Sequence, residues 1–260
     1  MKRKGMLAAA LAAALVLAGR ASAGEVGLRV TGALAYVGYG DYNGFVDDVN
    51  ARMAAETLAS GEVSSMHWMP SLAAEALYSF TPALTAGIGA GFLRGSAAFD
   101  IVVGGESLSF EHTVTSFPLT GTIYATIPAP LGRVTPYVFG GGGAYYTKLT
   151  FDERTASEAS YEAELGAWGF GLHGGAGVAI AIAPGLSAEI AVSGRYAKVR
   201  GFTGTGTSGE GTEEDVVLAV SKDGGPAKYG PAPAPLAGSF DEGSVDLSGF
   251  TLLVAVRVRL

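Results

Sequence analysis

The last eleven residues constrain this chain more than any other segment. Phe250, Leu252, Val254, Val256, Val258 and Leu260 fall on one face, and Thr251, Leu253, Ala255, Arg257 and Arg259 on the other. A period of two is the mark of a strand. One face is apolar without a break, over about the nine to eleven residues that a tilted strand needs to cross a bilayer. The other face carries two arginines. Such a strand needs an apolar solvent on one side and a polar interior on the other.

The same alternation recurs upstream. Leu186, Ala188, Ile190 and Val192 oppose Ser187, Glu189, Ser193 and Arg195; Trp168, Phe170, Leu172 and Val178 oppose Gly169, Gly171, His173 and Gly177. Phe117, Leu119 and Ile123 oppose Ser116, Thr120, Thr122 and Tyr124, while Leu72, Ala74 and Tyr78 oppose Ser71, Glu75 and Ser79. Eight strands are predicted, roughly at 25–40, 66–81, 83–100, 112–128, 135–150, 166–183, 185–203 and 245–260. Tight turns rich in Pro and Gly separate some of them, as at Thr81-Pro82-Ala83 and Ala183-Pro184-Gly185. Longer connections, at 41–65, 101–111, 151–165 and 204–244, alternate with the short ones. Short turns at one end and long loops at the other are the asymmetry of an outer-membrane barrel. Val46, Val49, Met53, Ala54 and Leu58 recur at helical spacing in the first long loop. The last loop, rich in Gly, Thr, Glu and Pro, is expected to be mobile.

Composition fits this reading. Only 16% of residues are charged against roughly 25% in soluble domains, and glycine reaches 40 residues. The net charge of -7 gives no basic surface for nucleic acid. Lys2, Arg3 and Lys4, the apolar run from Met6 to Ala18 and the small residues Ala21-Ser22-Ala23 form a Sec signal peptide over residues 1–23. The barrel domain is expected over 24–260, delivered to the outer membrane.

The expected fold is therefore all-β, a closed antiparallel up-and-down transmembrane barrel of eight strands. In hydrocarbon every backbone polar group must be paired, so the sheet has to close. An eight-stranded interior is just wide enough for side chains to fill. Arg29, Glu75, Glu189, Arg195, Arg257 and Arg259 lie on the faces opposite the apolar rows, and a paired network of these charges, with His173 as a further interior polar residue, is expected inside. Inward glycines leave it room, and Tyr36, Tyr78, Trp168 and Tyr196 are placed near strand ends as girdle residues.

The signal peptide, the eight alternating segments, the stretches TPYVFGGGGAYY (135–146) and GFGLHGGAG (169–177), and the apolar terminal strand together resemble the OmpA-membrane-domain/OmpX/OmpW-like outer-membrane barrels. The resemblance implies insertion by the barrel-assembly machinery, with Gly249, Leu252, Val254 and Leu260 matching part of its signal, although Leu260 stands where an aromatic is usual. It also implies outer-membrane lipid and lipopolysaccharide as surroundings.

Little catalytic chemistry is legible. Three histidines, His67, His112 and His173, lack metal-ligand spacing, and no cysteine exists. No cofactor or metal is expected. Gly140 to Gly143 lack the Lys-Ser/Thr of a phosphate loop. The leading expectation is a non-enzymatic barrel serving envelope structure or surface interaction through its long loops. A narrow pore or hydrophobic-solute channel is the second, a lipid A-modifying enzyme using a histidine the third, and a soluble lipocalin-like barrel the fourth.

Overall fold

A computed structural model describes residues 24–40, 43–44, 46–47, 50–51, 59–60, 65–103, 106–128, 132–155, 160–221, 227–231 and 240–260. The signal segment, with Val49, Met53, Ala54 and Leu58 of the first long loop, lies outside them.

Among the described residues fourteen strands follow in chain order: β1 (Glu25–Val37), β2 (Ala59–Ser60), β3 (Trp68–Thr81), β4 (Leu84–Val103), β5 (Glu106–Thr126), β6 (Val134–Thr155), β7 (Ser160–Ala183), β8 (Leu186–Arg200), β9 (Thr203–Ser208), β10 (Glu213–Ser221), β11 (Ala227–Pro231), β12 (Phe240–Glu242), β13 (Ser244–Asp246) and β14 (Gly249–Arg259). Eight of them close a ring in the order β1-β3-β4-β5-β6-β7-β8-β14, with β14 returning to β1. Every pairing is antiparallel. The terminal strand thus joins β1 to β8 and removes the edges that an open sheet would leave in lipid.

Exterior side chains of the membrane-spanning part are apolar and bare. Phe170 is 80% exposed, Leu172 67% and Val192 60%, against 4% for the inward Arg29 and 3% for Glu189. At about 3.3 Å per residue and a tilt near 40°, the 11 residues of β14 cover about 28 Å, close to the height of the hydrocarbon layer. Aromatic pairs ring the outer boundary: Tyr36 with Trp68 at 5.3 Å, Phe92 with Phe117 at 5.5 Å and Tyr146 with Trp168 at 5.2 Å between centroids.

Several strands run far past that boundary. β7 has 24 residues, more than twice the length of β14. Trp168 is therefore in mid-strand and not near a strand end. Above the aromatic ring the sidedness of the sheet inverts. The outside carries Lys148, Asp152, Glu162 and Glu164, while Leu93, Val114, Leu149, Leu165 and Val199 form an apolar core inside. The chain has apolar solvent outside at one height and water outside at another, so the same strands switch their apolar face.

The segment expected as a mobile loop at 204–244 also departs from expectation. Its described residues form β9, which adds to the upper part of β7, then β10 beside it, with β11 and β12 on β10 and β13 on β8. Val216, Val217, Leu218 and Ala219 are buried there, and it is their burial that holds the segment as sheet. In the first long loop, Asn43, Gly44, Val46, Asp47, Asn50 and Ala51 are helical, with Val46 buried and Asp47 exposed. Asn43 exchanges hydrogen bonds with the backbone of Met66, donating to its carbonyl at 2.9 Å and accepting from its amide at 3.1 Å.

Candidate functional site

The site is the lumen. β1 and β3 place Arg29 directly opposite Glu75, both pointing inward, and β8 brings Glu189 to the same height. Arg29 Nη1 donates to Glu75 Oε2 at 2.8 Å, and Nε to Glu189 Oε2 at 2.8 Å. Tyr124 donates to Glu75 at 2.6 Å, and Tyr137 donates to Glu189 at 3.1 Å. The guanidinium also lies 5.3 Å from the Tyr124 ring centroid. Desolvated ions are costly unless paired and hydrogen-bonded, and here each carboxylate has both. Gly89 makes the space, since a Cβ there would stand 2.4 Å from Glu75 Cγ. These five side chains cross the lumen as a polar plug.

The other charges singled out from the sequence sit elsewhere. Arg195 is higher, where its Nε donates to Leu247 O at 2.8 Å. His173 Nε2 lies 3.0 Å from Thr122 Oγ1. Arg257 reaches the hydroxyls of Ser79 and Thr85 at 3.3 Å, in a periplasmic vestibule of about 430 Å³. Arg259 pairs with Glu25 at the exposed rim at 2.9 Å. Of the terminal residues, Leu252, Val254 and Leu260 face outward, and Gly249 pairs with Val37 at the top of β14.

Above the plug is a cavity of about 140 Å³, bordered by Arg29, Thr31, Thr122, His173, Ser193 and Arg195. Leu72 and Phe92, which face lipid, also border it. The cavity reaches the wall where the ladder between β4 and β5 is interrupted. Pairing runs from Leu84 and Ala125 to Ala90 and Leu119, then resumes at Leu93 and Ser116. Pro118 sits in the interruption, opposite Gly91. Proline has no amide to donate, and in mid-sheet it removes a ladder bond. Reading by alternation passed over Pro118 because a proline on the inward face does not disturb the apolar row. Its presence in the interior of a strand was the signal available.

Farther out lies His112, 2% exposed among Phe99, Phe110 and Phe151. Burial pushes its pKa down to about 4. Burial also raises the nearby Glu153 to about 6. No group of three or more metal-binding side chains occurs among the described residues.

No family model and no curated protein matches the chain. Solved structures do. A major outer membrane protein from Thermus thermophilus is 14% identical, with a TM-score of 0.44 over 90% of this chain and 99% of that one. The outer membrane protein OprG from Pseudomonas aeruginosa is 15% identical, with a TM-score of 0.42 over 92% and 96%. The outer membrane protease OmpT from Escherichia coli is 6% identical, with a TM-score of 0.35 over 91% and 96%. The expectation that the chain is not an enzyme is withdrawn at this point. The finding set against it is the outer membrane protease among the matched structures. The closed ring, its bare apolar belt and the ion pairs sealed within it make this chain an eight-stranded outer-membrane β-barrel protein.

Proposed function

We propose that the barrel admits small apolar solutes from the exterior and releases them sideways into the membrane. The observation that carries this reading is the interrupted ladder at Pro118, with a luminal cavity reaching lipid-facing Leu72 and Phe92. Two further features support it. The upper lumen is filled by buried apolar side chains such as Met69, Leu93, Val114 and Tyr145, a medium that an apolar solute enters at less cost than an ion. The lower lumen is crossed by the Arg29, Glu75 and Glu189 plug, which favours a sideways exit over passage to the periplasm. In this reading the barrier bypassed is the lipopolysaccharide leaflet.

The test is uptake of naphthalene by cells with a lipopolysaccharide outer leaflet, with and without the protein. Uptake should rise several-fold with the native chain and return to background with Pro118→Val, which restores a ladder donor. Heat-modifiable gel mobility reports whether the variant is folded. A folded Pro118→Val protein with undiminished uptake would sink the proposal.

A second reading, surface interaction through the extracellular sheet, is favoured by the ordered addition of β9 and β10 to β7 beyond the membrane. It requires a partner that binds cells carrying the native chain and not cells carrying a chain shortened between β9 and β12.

A further inference from the structure

The luminal cavity has a polar deficit concentrated on one side. Arg29 Nη2, Thr31 Oγ1 and Arg195 Nη2 are buried and have no hydrogen-bond partner, and all three residues border the same space of about 140 Å³. Buried polar atoms are ordinarily satisfied, and each orphan is costly. Two of the three are guanidinium nitrogens, which can only donate. What completes them must be an acceptor. Arg195 also has no carboxylate within ion-pair distance among the described residues, its one hydrogen bond going to the neutral carbonyl of Leu247. Glu75 borders the cavity too, but its Oε2 is already taken by Arg29 and Tyr124.

We propose that this cavity is a head-group site for a carboxylate, so that the solute passed by the barrel is an amphipathic carboxylic acid of medium chain length. The inference deepens the lateral-passage reading and rests on it for the path of the tail. A carboxylate offers two acceptor oxygens to guanidinium donors, the pairing in which arginine is most effective. The hydroxyl of Thr31 can donate to the same group. Across the lumen, Leu93, Pro118 and Phe139 on β4, β5 and β6 offer apolar surface among Ser71, Thr120 and Thr122, and Pro118 marks the gap in the ladder. A cavity of about 150 Å³ accepts a molecule the size of benzene, so the head and first few carbons fit, and a longer tail must leave through the wall.

The experiment uses the full chain purified in a neutral detergent, with octanoate labelled with carbon-13 at the carboxyl as the probe. Saturable binding with a shifted carboxyl resonance is expected. 1-Octanol, which has the same tail and no charge, should compete at least ten-fold less well. Arg195→Met should weaken octanoate at least ten-fold, and Thr31→Val a few-fold. If Arg195→Met does not fold, the octanol competition and Thr31→Val decide. Octanol competing as well as octanoate, undiminished binding by a folded Arg195→Met, or no saturable binding (water alone filling the site) would each overturn the proposal. Its failure is separable from that of lateral passage. Naphthalene uptake abolished by Pro118→Val without octanoate binding removes the head-group site alone. Octanoate binding with uptake indifferent to Pro118→Val removes the passage alone.

Discussion

Arg29 faces two carboxylates, so removing it and removing one of its partners are different perturbations. Arg29→Met leaves Glu75 and Glu189 buried together without their shared cation, whereas Glu189→Gln leaves Arg29 paired with Glu75. Breaking a buried pair from one side typically costs 3–5 kcal/mol, and losing a hydrogen bond to a charged group about 1.5–3 kcal/mol. Arg29→Met should therefore lose roughly twice the stability of Glu189→Gln when both are unfolded by urea in detergent micelles. Equal losses would mean that the three groups do not share charge as described. A second residue-scale prediction concerns pH. The folded-state pKa of His112, about 4, lies below its ordinary 6.5, so its contribution is fully present above pH 6.5 and is lost as pH falls toward 4. Glu153, raised to about 6, runs the other way: its contribution is present below its ordinary range and is lost as pH rises through 6. Comparing the native chain with His112→Phe isolates the histidine. The thermal midpoint of the native chain should fall relative to that of the variant between pH 6.5 and 4, by an amount corresponding to roughly 3 kcal/mol at most. Parallel midpoint curves would refute it. At this scale, alternation assigns a side chain to a face but not to a height. It put six charges on one side of the sheet, and the structure distributes them over a plug, an upper cavity, a vestibule and a rim.

At the scale of elements, the ring strands were legible because their periodicity is local. Each strand's apolar row is visible without knowing its neighbour. The extracellular sheet was not legible, because its stabilising partners are far away in sequence. Thr203 to Thr207 alternates threonine and glycine, and reads as a linker until β7 is placed beside it. That close approach can be tested. A Cβ on Gly204 would stand 1.8 Å from the Glu164 carbonyl oxygen, so Gly204→Ala must push β9 off β7. The expected outcome is at least ten-fold faster cleavage by added protease between residues 203 and 221, with the membrane ring intact by heat-modifiable mobility. Unchanged protection would show that β9 is held by something other than this pairing. The inversion of sidedness along β6 and β7 has the same origin. The switch is written along β7 as a change of phase, from Ala163 and Leu165 at odd positions to Trp168, Phe170 and Leu172 at even ones, but only the surrounding media show which side each phase faces.

For the whole molecule, the two blocks in the lumen differ in kind. The lower is ionic and consists of few side chains. The upper is an apolar core spanning Tyr39, Met69, Leu149, Leu165 and Leu247, all buried. Water and inorganic ions, which carry no apolar tail, cross neither easily, the first because its charges are already paired and the second because it offers no polar partner. Removing the ionic plug alone should therefore not make a pore. A chain carrying Arg29→Ala, Glu75→Ala and Glu189→Ala together loses the whole ion cluster at once, so none of its members is left buried without its partner. In planar bilayers this variant, like the native chain, should show no steady ion conductance, because the apolar core above is untouched. Conductance in the native chain would overturn the closed-lumen description altogether. Conductance in the triple variant alone would show that the upper core is permeable and that the plug is the sole seal. The sideways route predicts neither, since a solute leaving beside Pro118 exits above the plug and does not cross it.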